Sequence, residues 1–194
     1  MSEQPPLKSR LWKKPNHWIW LGIPAGGFAM LLLGAIALGG FNYVIHETSS
    51  MEFCVSCHEM ETNIFQAYKE TPHYNNASGI RTGCSDCHVP QAWGPKILRK
   101  THKGLVEIPA KILGTISTPE KFEAKRLEMA ERVWADMEAT DSRECRSCHS
   151  LEAMANQDRR TAKKHSLERK ADKNETCIDC HKGIAHQLPY GYIP

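Results

Sequence analysis

Four copies of one pentapeptide carry the chemistry available to this chain. They are Cys54-Val55-Ser56-Cys57-His58, Cys84-Ser85-Asp86-Cys87-His88, Cys145-Arg146-Ser147-Cys148-His149 and Cys177-Ile178-Asp179-Cys180-His181, and together they use all eight cysteines. Cys-x-x-Cys-His is the attachment pattern of a c-type haem: two thiols form thioethers with the vinyl groups and the adjacent imidazole reaches the iron. Three other chemistries use paired cysteines. Zinc would want Cys-x-x-Cys clusters shared around one ion, with no fixed trailing His. A redox dithiol or a disulfide framework gives no reason for His to follow the second Cys four times over. The pattern therefore predicts a tetrahaem c-type cytochrome with four covalently bound haem c groups.

A low-spin electron-transfer iron needs a second axial ligand, usually His or Met. With His58, His88, His149 and His181 assigned as proximal, six histidines remain: His17, His46, His73, His102, His165 and His186. His73 lies 15 residues after His58, and His165 lies 16 after His149. A feature repeated at matching phase marks both as distal ligands. His186 follows the fourth motif on a Gly-containing loop able to fold back, and is a third candidate. His102 is a candidate as either an axial ligand or a proton acceptor, because imidazole titrates near neutral pH. His17 falls on the wrong side of the apolar run described below, and His46 sits at its exit. The first motif is unlike the rest: it continues as His58-Glu59-Met60, so Met60 either replaces His58 at the iron or packs against the porphyrin. An iron with ambiguous ligation near the start of the domain is where a substrate is expected.

The elements that hold these groups follow from composition. Net charge is only +3 over 194 residues, which gives no electrostatic footprint for nucleic acid. Apolar content is 41%, and part of it is concentrated in one N-terminal run, leaving the rest short of core-forming side chains. Four macrocycles would supply the missing apolar surface. Haem attachment to thiols also implies an oxidising compartment such as the periplasm.

From Pro15 to His46 no Asp, Glu, Lys or Arg occurs, and Trp18 to Val44 is apolar with small residues. That exceeds the ~20 residues a helix needs to cross a bilayer. A cleaved signal peptide would have a shorter apolar region ending in a small-residue site, so an uncleaved anchor is expected. Lys8, Arg10, Lys13 and Lys14 precede it and place the N-terminus in the cytoplasm. Residues 1–16 are then a cytoplasmic tail, 17–45 a transmembrane anchor in the bacterial inner membrane, and 46–194 a periplasmic domain. Trp12, Trp18 and Trp20 suit one interface, Phe41 and Tyr43 the other. Gly22, Pro24 and Gly26 either pair helices into a homodimer or accommodate a kink at Pro24.

The domain is a tandem duplication: Cys54 to Cys145 spans 91 residues and Cys84 to Cys177 spans 93. Its halves are 46–118 and 119–194. The fold class is mostly α: a single N-terminal transmembrane helix, then a small haem-packed domain of short helices and loops built as duplicated dihaem units. Between the halves, Lys96, Arg99, Lys100, His102, Lys103 and Lys111 alternate with Ile97, Leu98, Leu105, Val106, Ile108, Ile112 and Leu113. This stretch either lies against the outer leaflet or packs on haem edges with a solvated basic face. Thr118-Pro119 reads as N-cap and first residue of a helix running to about Ala139. Asp141-Ser142-Arg143-Glu144 has the spacing of a capping box for the third motif.

Phe53 to Met60, Thr71-Pro72-His73-Tyr74, Cys84 to Pro90, Glu144 to Ser150 and Thr176 to Pro189 resemble the NapC/NirT family of membrane-anchored tetrahaem quinol dehydrogenases. The resemblance covers essentially the whole chain. It implies oxidation of menaquinol or ubiquinol at the periplasmic face and delivery of electrons to a soluble reductase. Relatives serving a multihaem nitrite reductase bind the first haem through a Met placed like Met60 and lack one distal His. Here His73, His165 and His186 are all present, which favours the branch serving periplasmic nitrate reductase. Some relatives carry an acidic residue near the place of His102, close to the quinol site. His102 as proton acceptor and Lys96 as hydrogen-bond donor are the expected catalytic residues; Lys96 as a solvated surface charge is the bland alternative.

A passive tethered electron carrier would show the same motifs. It differs in needing neither an ambiguous first haem nor a basic stretch beside the membrane. A haem-based sensor is disfavoured, since the cytoplasmic tail holds no output domain.

Overall fold

In lipid, an apolar run uninterrupted by charge satisfies its own backbone by forming a helix. In the computed structural model, which describes residues 19–20, 23–155, 158–166 and 175–193, that helix is α1, Ala25–Glu47. Ile19–Trp20 and Ile23–Pro24 precede it as a two-residue antiparallel ladder. The helix starts directly after Pro24, so the proline marks its beginning and not the kink expected from sequence: a ring without an N–H is tolerated where the first amides have no partner anyway. Residues Gly26–Glu47 form a 22-residue stretch apolar and long enough to cross a membrane, about 33 Å at 1.5 Å per residue. Met30, Leu31, Leu33 and Ile36 are all exposed. The cationic tail, with Trp12, His17 and Trp18, lies outside the described residues.

The chain divides into two units, Met1–His46 and Glu47–Pro194. The second unit is a succession of short helices. Met51–Val55 (α2) and His58–Met60 (α3) flank the first motif. A π-helical turn, Glu61–Phe65, and Gln66–Lys69 (α4) continue it. Cys84–His88 (α5) carries the second motif. Two long helices follow, Trp93–Ile112 (α6) and Pro119–Ala139 (α7). Arg143–Arg146 (α8), Leu151–Ala155 (α9), Arg159–Lys164 (α10) and Cys177–His181 (α11) complete the unit.

The cap read from sequence is present on α7: Thr118 Oγ1 accepts from the Lys121 N–H, with Pro119 at the first position. At α8 the N-cap position falls on Ser142, one residue after Asp141. Ser142 sits in the left-handed region (φ 47) and its side chain makes no local cap. Instead its hydroxyl, fully buried, accepts from the Ile178 N–H at 3.1 Å. The residue at the N-cap of the third motif's helix thus fastens that motif to the fourth.

Among the described residues the buried apolar side chains are Tyr68, Phe122 and Ile178, with the rings of Pro90 and Pro189. So few are far short of holding a unit of this size, since core burial is the main favourable term in folding. The shortage seen in composition is a property of the folded chain as well.

Candidate metal centres

Each attachment motif needs its two thiols and its imidazole on one side of one turn, which a helix provides at i, i+3 and i+4. Helices α5 and α11 span their whole motifs. Each begins with an acid bonded back over the helix start: Asp86 Oδ2 accepts from the Gly83 N–H, and Asp179 Oδ2 from the Thr176 N–H, both at 2.6 Å. The third motif follows α8 as a hydrogen-bonded turn, with the His149 N–H on the Cys145 carbonyl at 2.9 Å.

Three of the four motif histidines face a second histidine. His88 lies opposite His186, His149 opposite His73, and His181 opposite His165, each with ring centroids 6.1 Å apart. A metal–imidazole bond of about 2 Å puts two rings on opposite sides of one metal with centroids about 6 Å apart. The same separation three times over, always between a motif His and a non-motif His, fits an iron held by two imidazoles. The planes differ: 77° for His73 with His149, but 27° for His88 with His186 and 18° for His165 with His181.

The chemistry of these rings agrees. Burial lowers the pKa of His73, His88 and His181, and takes His186 down to about 4, so each offers a neutral lone pair at neutral pH. His73 Nδ1 and His186 Nδ1 are buried without a hydrogen-bond partner, which is costly unless another bond compensates. His165 Nδ1 bonds the Thr161 carbonyl at 2.9 Å, leaving Nε2 for a metal, as metal-ligating histidines commonly do. Tyr68 supports the His186 pair: its ring lies 5.9 Å from the His186 ring and its hydroxyl donates to the Thr82 carbonyl at 2.5 Å. Among the described residues no three or more His, Cys, Asp or Glu converge as a zinc cage would. The residues present fit four haems and not a shared ion.

The pairings cross the duplication. His186, late in the second half, faces His88 of the first, and His73 of the first half faces His149 of the second. The motifs also adjoin in chain order. The Cys84 thiol donates to Met51 Sδ at 3.2 Å where α2 packs against α5, α5 packs against α8, and Ser142 ties the third motif to α11. Burial pushes the Cys87 thiol up to about 11, and the nearby thiol of Cys145 adds to the rise.

The first motif stands apart. Its helix breaks at Cys57, which is extended (φ −81, ψ 123), so Cys54 and His58 do not share a helix. His58 is 64% exposed and its Nε2 lies 3.3 Å from Glu59 Oε1. Among the described residues no histidine ring stacks on it. Glu59 is buried and ion-paired to Lys111 of α6, whose Nζ is 2.5 Å from each carboxylate oxygen. Lys111, the main cause, holds the Glu59 carboxyl below the usual range. Met60 is half-buried, and the π-helical turn starts immediately after it; such turns widen a helix and frequently mark functional sites.

Helix α6 brings further groups to this end of the unit. Lys100 donates to Thr48 Oγ1 at 2.7 Å, and its charge is close enough to Cys54 to help lower that thiol to about 7, after the larger effect of the Cys84 thiol. Lys96, half-buried, lies one turn earlier. His102 is exposed, and about 120° around the helix from Lys96 at 100° per residue. The two expected catalytic residues therefore share a helix but not a face. Lys100 was not singled out by sequence; its spacing of four from Lys96 on a helical pattern is the signal that would have found it.

Fold and site together define a membrane-associated multihaem c-type cytochrome. Residues 16–191 match the NapC/NirT cytochrome c family, N-terminal region. The chain is 52% identical over 163 residues to the denitrification system component NirT of Stutzerimonas stutzeri, covering 83% of this chain and 80% of that one. It is 43% identical to the cytochrome c-type protein NapC of Escherichia coli K12, covering 96% and 92%. To the cytochrome c-type protein TorC of the same organism it is 42% identical, covering 93% of this chain and 46% of that one. A crystal structure of the cytochrome c nitrite reductase NrfHA complex bound to the inhibitor HQNO matches at TM-score 0.47 and 23% identity, over 82% of this chain and 89% of that one. The chain belongs to the NapC/NirT family of tetrahaem electron-transfer cytochromes.

Proposed function

We propose that the protein is a quinol dehydrogenase. It takes two electrons from menaquinol or ubiquinol at the outer face of the inner membrane and delivers them to a soluble periplasmic reductase, with nitrate reductase favoured. The haems supply one-electron carriers. The chain's residues set their order, first motif to fourth, through the packing of α2 on α5, the packing of α5 on α8, and the Ser142–Ile178 bond.

The observation that carries the reading is the contrast between the first motif and the other three. His88, His149 and His181 each have an imidazole opposite, while His58 is turned toward Glu59 with Met60 two residues on. Met60 or His58 would hold the first iron. The motif that would carry it is the one nearest in sequence to α1, with Lys100 of α6 close to Cys54 and Lys96 one turn earlier on the same helix. There a lysine ammonium can hold a quinol hydroxyl as negative charge develops, and exposed His102 can accept a released proton. His73, His165 and His186 of this chain would complete three of the four ligand pairs, which suits an acceptor that docks and leaves.

The test is reduction of the purified full-length holoprotein by a menaquinol analogue, followed by haem absorbance. Rapid reduction blocked by a quinone-site inhibitor is expected. Reduction by dithionite but not by quinol would mean a passive tethered carrier. Reoxidation by candidate periplasmic reductases, nitrate reductase first, identifies the acceptor.

A further inference from the structure

Helix α6 is amphipathic in the wrong sense for a surface helix in water. Its basic side chains turn inward: Lys96, Lys100 and Lys103 are half-buried, and Arg99 pairs with Asp136 of α7 at 2.5 Å. Its large aliphatic side chains turn outward: Leu98 is 73% exposed, Leu105 73%, Ile108 62% and Ile112 79%. At 100° per residue these four fall within an arc of about 80°, opposite the arc holding Lys96, Lys100 and Lys103. A helix on a soluble domain buries the apolar stripe and solvates the charged one. A contiguous exposed apolar stripe on a folded protein marks a contact surface.

One hydrogen bond says what that surface meets. Lys100, midway along α6, donates to Thr48 Oγ1 at 2.7 Å. Thr48 is the next residue after the end of α1, and consecutive Cα atoms are about 3.8 Å apart. The middle of α6 is therefore tied, through the Lys100 side chain, to the residue that follows the candidate span. From this position, and on the reading that α1 crosses the bilayer, we infer that α6 lies in the outer leaflet of the same membrane. Leu98, Leu105, Ile108 and Ile112 enter the acyl region, and the domain is seated on the lipid along a second line besides its anchor. Interfacial helices bind in this way, apolar face down among the acyl chains. The seat fixes the height and rotation of the first motif over the membrane, since Lys111 at the end of the same helix is bonded to Glu59.

The experiment uses the full-length holoprotein in nanodiscs of phosphatidylethanolamine and phosphatidylglycerol, doped with a phospholipid bearing a diazirine in its acyl chain. After irradiation, adducts are mapped by peptide mass spectrometry. Adducts on α1 and on α6, with none on Pro119–Ala139, are expected. In the double variant Leu105→Glu, Ile112→Glu, the α6 adducts should fall roughly tenfold or more while those on α1 persist. Adducts confined to α1 would overturn the proposal, as would cross-links joining α6 to a second copy of α6. Absence of adducts from α1 too would overturn the anchor reading beneath it.

Discussion

Lys111 Nζ and the carboxylate of Glu59 meet at 2.5 Å across 52 residues of sequence, and Glu59 is only 3% exposed. The ion pair locks the C-terminal end of α6 onto the residue between His58 and Met60, the two candidate ligands of the first iron. Removing the ammonium alone leaves a buried carboxylate without its partner, which is more costly than removing both. Lys111→Met should destabilise the holoprotein by about 2 kcal/mol, a figure moderated by the half-exposed lysine. Lys111→Arg should restore most of it, and the double variant with Glu59→Gln should fall short of additivity. Denaturant midpoints measure the coupling. EPR of the first haem, compared with the other three, shows whether the pair also governs ligation there.

The three histidine pairs make a spectroscopic prediction that assigns each distal ligand. Near-perpendicular imidazole planes leave the iron orbitals close to degenerate and give a highly anisotropic low-spin EPR signal; near-parallel planes give a rhombic one. His73 and His149 cross at 77°, the other pairs at 27° and 18°. His73→Ala should abolish the anisotropic signal and create one high-spin iron. His165→Ala and His186→Ala should each remove a rhombic signal instead. Loss of a rhombic signal in His73→Ala would refute the pairing.

The attachment motifs were legible in sequence because their chemistry is local: two thiols and an imidazole within five residues specify a haem wherever they fall. The cap at Thr118-Pro119 and the extent of α7 were legible for the same reason. Which histidine faces which was not, because His186 and His73 are brought to motifs about 100 and 76 residues away by packing alone. Nothing local pointed to Ser142 either: its hydroxyl serves no helix of its own and accepts from Ile178, 36 residues on. Pattern also left the orientation of α6 undecided. A basic and an apolar arc are visible in the sequence, but which one faces the domain depends on Asp136, Thr48 and Glu59, all on other elements.

Ser142 yields a third prediction. It is fully buried, and the Ile178 N–H has its hydroxyl as partner. Ser142→Ala leaves that amide buried and unpaired, which costs about 1–3 kcal/mol. It also keeps the left-handed backbone that a β-carbon disfavours. Ser142→Gly relaxes the backbone while losing the same bond, so it should be less destabilising than Ser142→Ala. Both should slow transfer between the third and fourth haems, read by flash-induced oxidation, if this joint holds them in register.

Haem removal tests what holds the second unit together. Tyr68, Phe122 and Ile178 are its large buried apolar side chains among the described residues, joined by Pro90 and Pro189, and each large one contributes only about 1.5–3 kcal/mol. Ordering each residue costs about 1–2 kcal/mol for the backbone alone, so these few side chains cannot offset a unit of well over a hundred residues. Chain produced without the haem-attachment machinery should therefore keep helix α1 in detergent but lack cooperative unfolding, near-ultraviolet circular dichroism and amide protection across 47–194. Helices α6 and α7 should survive as fluctuating segments, because their length and the Thr118 cap are local. Helices α5, α8 and α11 are five residues or fewer, below what propagates alone in water, so they should be absent until the thioethers form. A cooperative thermal transition in the apo-chain would show that side-chain packing suffices and that the haems are guests in a preformed fold.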